Sequence, residues 1–261
     1  MTLHVDESGR AGTPSIVFLH GVGTSGWMWR RQVELLSDYH CLVPDLPGHG
    51  ESNGTPWVSL AEATRRVADL IRERATDGRA HVVGLSLGAY VVAHLMGTEP
   101  RLVDHAVVSG LSVLPFPHPG RMRAMGYVML PFLKTNVMLR ANARGLRIPE
   151  AEYDDYRRAM AAMSRRSFLR IGDELLGFRL PAGLADAPCP TLVVAGEREH
   201  ELVRRSIPVV VAALPRAEGR LAPGLGHGWN GEAPELFAAT VRAWITDAPL
   251  PQDLRAAPAP S

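Results

Sequence analysis

The sequence predicts an α/β protein: a doubly wound, mostly parallel sheet interrupted by a helical insertion. Three observations carry that reading. Five short runs are almost continuously apolar and rich in Val, as strands buried on both faces are. Helical patterns lie between them, and alternation of strand and helix builds a parallel sheet. One long stretch then breaks the alternation and holds no such run.

Residues 15–19 (SIVFL) are the first run and end at His20-Gly21. Residues 41–43 (CLV) are the second and end at Pro44-Asp45. Leu60, Ala63, Val67, Leu70 and Ile71 then recur at helical spacing. Ser59 precedes them and Glu62 follows three residues on, the pattern of a capping box. Residues 80–85 (AHVVGL) form the third strand, followed by a helix from Leu87 to Met96. Residues 104–109 (DHAVVS) and 191–195 (TLVVA) are the fourth and fifth strands, and a last helix spans Glu235 to Ile245. The stretch 112–186 opens with Pro115, Pro117 and Pro119, then turns helical and Met-rich. It holds six of the nine methionines, which suits an adaptable apolar packing surface. The expectation is a core from residues 1–111 and 187–247 with a helical cap over 112–186. Residues 248–261, rich in Pro and Ala without a hydrophobic period, read as a flexible tail.

Composition narrows the function. Lys and Arg number 28 against 27 Asp and Glu, so the overall charge of +1 gives no sign of a nucleic-acid or anionic-membrane partner. No apolar run reaches the ~18 residues of a bilayer span. The start, MTLHVDESGRAG, lacks the basic and apolar regions of a signal peptide. Cys41 and Cys189 lie in apolar runs, where thiols act as small hydrophobes, and a reducing, cytoplasmic setting is expected. The ten His and two Cys lack metal-ligand spacing. No G-x-G-x-x-G follows a strand. No metal and no cofactor is expected, and the expected partner is a small-molecule substrate. Nothing in the sequence speaks to an oligomeric state.

The chemistry centres on Val82-Val83-Gly84-Leu85-Ser86-Leu87-Gly88-Ala89. One hydroxyl sits between two glycines where a buried strand meets a helix. A very tight strand-to-helix turn strains the central residue and lifts its side chain clear of the sheet. The helix N-terminus there favours developing negative charge. Ser86 is placed to attack a carbonyl. It needs a base, and the base needs an orienting acid. His227, in the Gly-rich loop before the last helix, is the candidate base. Glu197, Glu199 and Glu201, just after the fifth strand, are the candidate acids.

Five matching pieces in order resemble the α/β-hydrolase fold superfamily, in its branch with a helical cap. His20-Gly21-Val22-Gly23 is similar to the turn after the family's third strand. Asp45-Leu46-Pro47-Gly48-His49-Gly50-Glu51-Ser52 resembles its D-x-P-G-x-G-x-S loop. The Ser86 elbow, the Gly196–Glu199 turn and Gly226-His227 complete the series. The resemblance implies a Ser86, His227 and Glu199 triad, although the family more often has Asp where Glu199 stands. The family's other acid position follows the strand 104–109. Here Ser109-Gly110-Leu111 offers no carboxylate, which favours Glu199. The resemblance also implies an oxyanion hole from the backbone N–H groups of Val22 and Leu87. His20, His49 and Asp45 are implied to shape loops rather than react. Trp27, Met125 and Met129 are the candidate pocket residues. The arginines of the cap, Arg121 to Arg158, read as a solvated helix face. The implied function is a serine hydrolase acting on an ester-like or activated carbonyl of a small, mainly apolar substrate. A cofactor-free lyase, cyclase or perhydrolase on the same fold is the alternative, and a non-catalytic ligand-binding module is a third.

Overall fold

The computed structural model describes residues 2–258. Its strands are β1 (Val5–Gly9), β2 (Ser15–Leu19), β3 (His40–Pro44), β4 (Ala80–Leu85), β5 (Val103–Ser109), β6 (Thr191–Gly196), β7 (Ala217–Ala222) and β8 (Arg255–Ala256). They form one sheet in the order β1-β3-β2-β4-β5-β6-β7-β8. Only the outer strands β1 and β8 run antiparallel to their neighbours.

The five apolar runs are the sheet's centre, and period-two alternation explains their composition. Val17, Leu19, Val82, Val108 and Val193 face one core, with the helices Leu60–Arg74, Leu87–Thr98 and Glu201–Ala212. Ile16, Phe18, Val83, Val107 and Val194 face a second core, built on Trp29, Trp229 and the helix Pro234–Ile245. Both faces are covered, so neither set of positions is free to be polar. Each fully buried Val, Leu or Ile contributes about 1.5–3 kcal/mol.

Three strands escaped the sequence reading. β1 (VDESG) is an exposed edge with polar residues, and β7 (AEGRLA) is only half-buried. β8 lies inside the stretch read as a flexible tail. That reading is corrected: Leu254 is buried and Arg255–Ala256 pair with Leu221 and Arg220 of β7. Residues 259–261 of that tail lie outside the described residues.

The predicted capping box forms by half. Ser59 accepts the Glu62 N–H at 3.1 Å, but the Glu62 carboxylate turns to Arg66 instead of the Ser59 backbone. The Leu60 N–H at the same helix start is taken by the Glu174 carboxylate at 2.9 Å. Glu174 also accepts from Trp57 Nε1 at 2.7 Å. A carboxylate at a helix N-terminus is favoured by the dipole. Here it ties the stretch 112–186 to the core.

That stretch folds as the helices Pro119–Met129, Asn136–Leu146, Tyr153–Ala162 and Arg165–Gly177. Met160 and Met163 are buried in it. Cys41 and Cys189 are both buried and unpaired, and burial pushes the Cys41 thiol up to about 12.

Candidate active site

The residues that follow β2 and β4 line one cavity, and those that follow β5 and β6 lie against His227 in its wall. At the end of β4 the chain turns into the helix Leu87–Thr98 through Ser86, whose backbone sits at φ 56°, ψ −118°. A non-Gly residue held there carries on the order of 1–3 kcal/mol of strain, which the surroundings must enforce. They do so by contact. A Cβ on Gly84 would lie 2.5 Å from the Gly88 backbone, and one on Gly88 would strike the Leu19 carbonyl. The Ser86 N–H donates to the Ser109 carbonyl at 2.9 Å, pinning the turn to β5. Ser86 is left half-buried at the cavity floor.

His227 and Glu199 come together as the second half. β6 ends at Gly196, and the turn that follows is closed by the Glu199 N–H on the Gly196 carbonyl at 3.1 Å. This points the Glu199 carboxylate inward, where its side chain is only 2% exposed. Its Oε1 accepts a short hydrogen bond from His227 Nδ1. Its Oε2 is buried and finds no partner among the described residues. Burial alone would lower the His227 pKa, but the charge of Glu199 and its hydrogen bond outweigh that and raise it. With Nδ1–H committed to Glu199, the imidazole's lone pair lies on Nε2. His227 lines the same cavity as Ser86.

The other two acids are elsewhere. Glu201 is exposed at the start of its helix. Glu197 is half-buried and accepts the Gly224 N–H at 2.8 Å, so it shapes the loop leading to His227.

The His20–Gly23 turn is held by His20. Its Nε2 accepts the Leu46 N–H at 2.9 Å and its Nδ1–H donates to the Gly21 carbonyl at 2.8 Å. Thr24 Oγ1 donates to that same carbonyl at 2.8 Å. Burial lowers the His20 pKa to about 4, so the ring stays neutral and keeps this donor–acceptor pattern. Asp45 acts similarly, accepting the Gly26 and Glu51 N–H groups at 2.7 and 2.8 Å. His49 donates from Nδ1 to the Pro47 carbonyl at 3.0 Å. None of the three lines the cavity. Val22 does line it. Leu87 is the first residue of its helix, so its N–H has no acceptor within the helix.

The cavity is a cleft of about 530 Å³, counting the part that opens to solvent. Trp27 lines it, with Val22, Met28, Leu85, Leu146, Ile148 and Pro149 supplying further apolar wall. Met125 and Met129 do not line it: they sit on the helix Pro119–Met129, and Met125 is 59% exposed. The wall from the cap comes instead from residues 146–149 and Glu152.

Three residues near the site were missed. Gly110, at φ +71°, lies against the pair; a Cβ there would be 3.0 Å from His227 Cε1. Ser109 Oγ accepts Trp229 Nε1 at 2.9 Å, linking the elbow strand's neighbour to the His227 loop. Glu232 accepts the Gly226 N–H at 2.7 Å and pairs with Arg147 at 3.5 Å. The only sequence signal for these was proximity to His227 or to the end of a strand. Among the described residues no group of three or more His, Cys, Asp or Glu is placed to hold a metal ion. No helix among them is long and apolar enough to cross a membrane.

Fold and elbow together define the class: an α/β enzyme whose chemistry sits at the carboxyl edge of a parallel sheet. The particular family follows from comparison. Residues 16–240 match the Alpha/beta hydrolase family, and the chain belongs to it; it is a hydrolase. An AB hydrolase superfamily protein of Gibberella zeae is 30% identical across 97% of this chain and 87% of its own length. The pimeloyl-(acyl-carrier protein) methyl ester esterase of Edwardsiella ictaluri is 29% identical across 88% of this chain and 93% of that one. The enol-lactonase from Burkholderia xenovorans LB400 shares the fold, with a TM-score of 0.78 at 20% identity, covering 94% of this chain and 96% of that one.

Proposed function

We propose that the protein is a serine hydrolase that cleaves an ester-like bond in a small, mainly apolar substrate. The observation that carries this is the His227–Glu199 pair opening onto the cavity whose floor is the strained Ser86. Ser86 Oγ attacks the carbonyl carbon while its proton passes to His227 Nε2. Glu199 holds the resulting imidazolium through Nδ1. The oxyanion is met by the N–H groups of Val22 and Leu87, each worth about 3 kcal/mol of transition-state stabilisation. The intermediate collapses, and the leaving alkoxide takes the proton from Nε2. Water then repeats the sequence on the acyl-enzyme, giving the acid and restoring Ser86.

The apolar wall around Trp27, Leu146 and Ile148 supports a mainly apolar substrate. Relatives named as a methyl ester esterase and an enol-lactonase support an ester-like bond. Two buried, unpaired cysteines support a reducing setting such as the cytoplasm. The test pairs a fluorophosphonate probe with a panel of short-chain aryl esters. Labelling at Ser86, and loss of ester turnover in Ser86→Ala, are expected. A protein that turns its substrate over without ever labelling would instead be a lyase, cyclase or perhydrolase on this fold.

A further inference from the structure

We propose that the outer face of the cap docks on an anionic lipid surface. The helix Pro119–Met129 has no buried residue at all. Met122, Met125 and Val128 stand on it at i, i+3 and i+6, 42%, 59% and 65% exposed. Phe132 and Val137 extend the apolar surface beyond the helix. Of the eight large hydrophobic side chains exposed among the described residues, six lie between positions 122 and 137. Large apolar side chains left exposed together over so short a stretch mark a place of contact.

Charge says what kind of contact. Residues 112–186 carry twelve Lys and Arg against seven Asp and Glu, while the rest of the chain carries sixteen against twenty. The overall charge of +1 conceals a positive cap on a negative core. Arg121 is exposed and falls between Met125 and Val128 around the helix, whereas Arg123 lies on the opposite side. Arg123 pairs with Asp173 at 2.6 Å, and Arg121 has no ion-pair partner among the described residues. A second copy of the chain would bring one positive face against another. A bilayer with anionic headgroups meets both features: acyl chains take the apolar stripe, and headgroups take Arg121 and the net positive charge of the cap. The helix Asn136–Leu146 runs from the patch at Val137 to the cavity wall at Leu146, about 14 Å of helix. Docking would therefore hold the cavity close to the lipid layer. The docking does not rest on the hydrolytic reading of Ser86.

The experiment is flotation of the full chain with vesicles of phosphatidylcholine alone or mixed about equally with phosphatidylglycerol. Binding to the mixed vesicles should be at least about tenfold tighter and should weaken in about 0.5 M salt. The double variant Val128→Asp, Phe132→Asp should lose about tenfold or more of that binding while turnover of a soluble aryl ester stays unchanged. Arg121→Glu, on an exposed side chain, gives an independent loss should the double variant fold poorly. Equal binding to the two vesicle types, no binding, or full binding by folded variants would overturn the proposal. So would a wild-type dimer that the double variant dissolves while vesicles are ignored, since a second copy would then cover the stripe.

Discussion

Replacing Gly110 with Ala should damage catalysis out of proportion to stability. The added Cβ would stand 3.0 Å from His227 Cε1, 3.3 Å from its Nδ1 and 3.6 Å from Glu199 Oε1. At these separations the imidazole must retreat by a few tenths of an ångström. A misplacement of about 1 Å can cost about 10²-fold in rate, so a loss of about tenfold in kcat, about 1.4 kcal/mol, is expected. The backbone adds its own effect, because Ala at φ +71° loses about 1–2 kcal/mol of stability. Gly12 separates the two. It sits at φ +79° with nothing within 4 Å of its built Cβ, far from the cavity. Gly12→Ala carries the backbone effect alone, so it should lose no more stability than Gly110→Ala in urea unfolding and keep wild-type kcat. Equal kcat in the two variants would refute the packing of residue 110 against the imidazole.

Two further outcomes test the pair and its support. His227 must be neutral to accept the Ser86 proton, and its pKa is raised above 6.5 despite burial, by the Glu199 charge and hydrogen bond. Activity should therefore fall as pH drops through a value above 6.5. Glu199→Gln removes the charge and leaves the burial, so the acid limb of the kcat/KM profile should move to lower pH as kcat drops about 10²–10⁴-fold; an unmoved limb would argue against the pairing. Glu232→Ala strips the Gly226 N–H of its acceptor and should lower stability by about 1 kcal/mol and kcat several-fold. Arg147→Ala leaves that hydrogen bond in place and loses a half-exposed ion pair, so unfolding should show a milder loss of stability than Glu232→Ala.

Much of the fold was legible because burial on both faces forces composition. SIVFL, AHVVGL and TLVVA have no solvent side, so their strands show as runs. β1 and β7 have partly exposed sides, and their Glu, Ser and Arg erase the signal. The elbow was legible because the tight turn tolerates only glycine on either side of Ser86. Which of three glutamates meets His227 was harder. Glu197, Glu199 and Glu201 differ by two residues each, and turn geometry alone sends Glu197 to the Gly224 N–H and Glu199 inward. The cavity wall was the least legible part. Met125 and Leu146 are both apolar residues on cap helices, and only the packing of those helices on the core puts one outside and the other in the cavity wall. Net charge is silent on a further point, since a sum over the chain carries no information about where the charges lie.

β8 contributes only two residues, yet it changes what the sheet presents to its surroundings. Without it, Arg220 and Leu221 on β7 would offer unsatisfied backbone groups along an open border. Such a border is a template on which other chains can add. Leu254 fastens the closing segment by burying its side chain. Shortening the protein before position 250 should thus leave the hydrolytic chemistry intact and produce a material that gathers into aggregates on concentration.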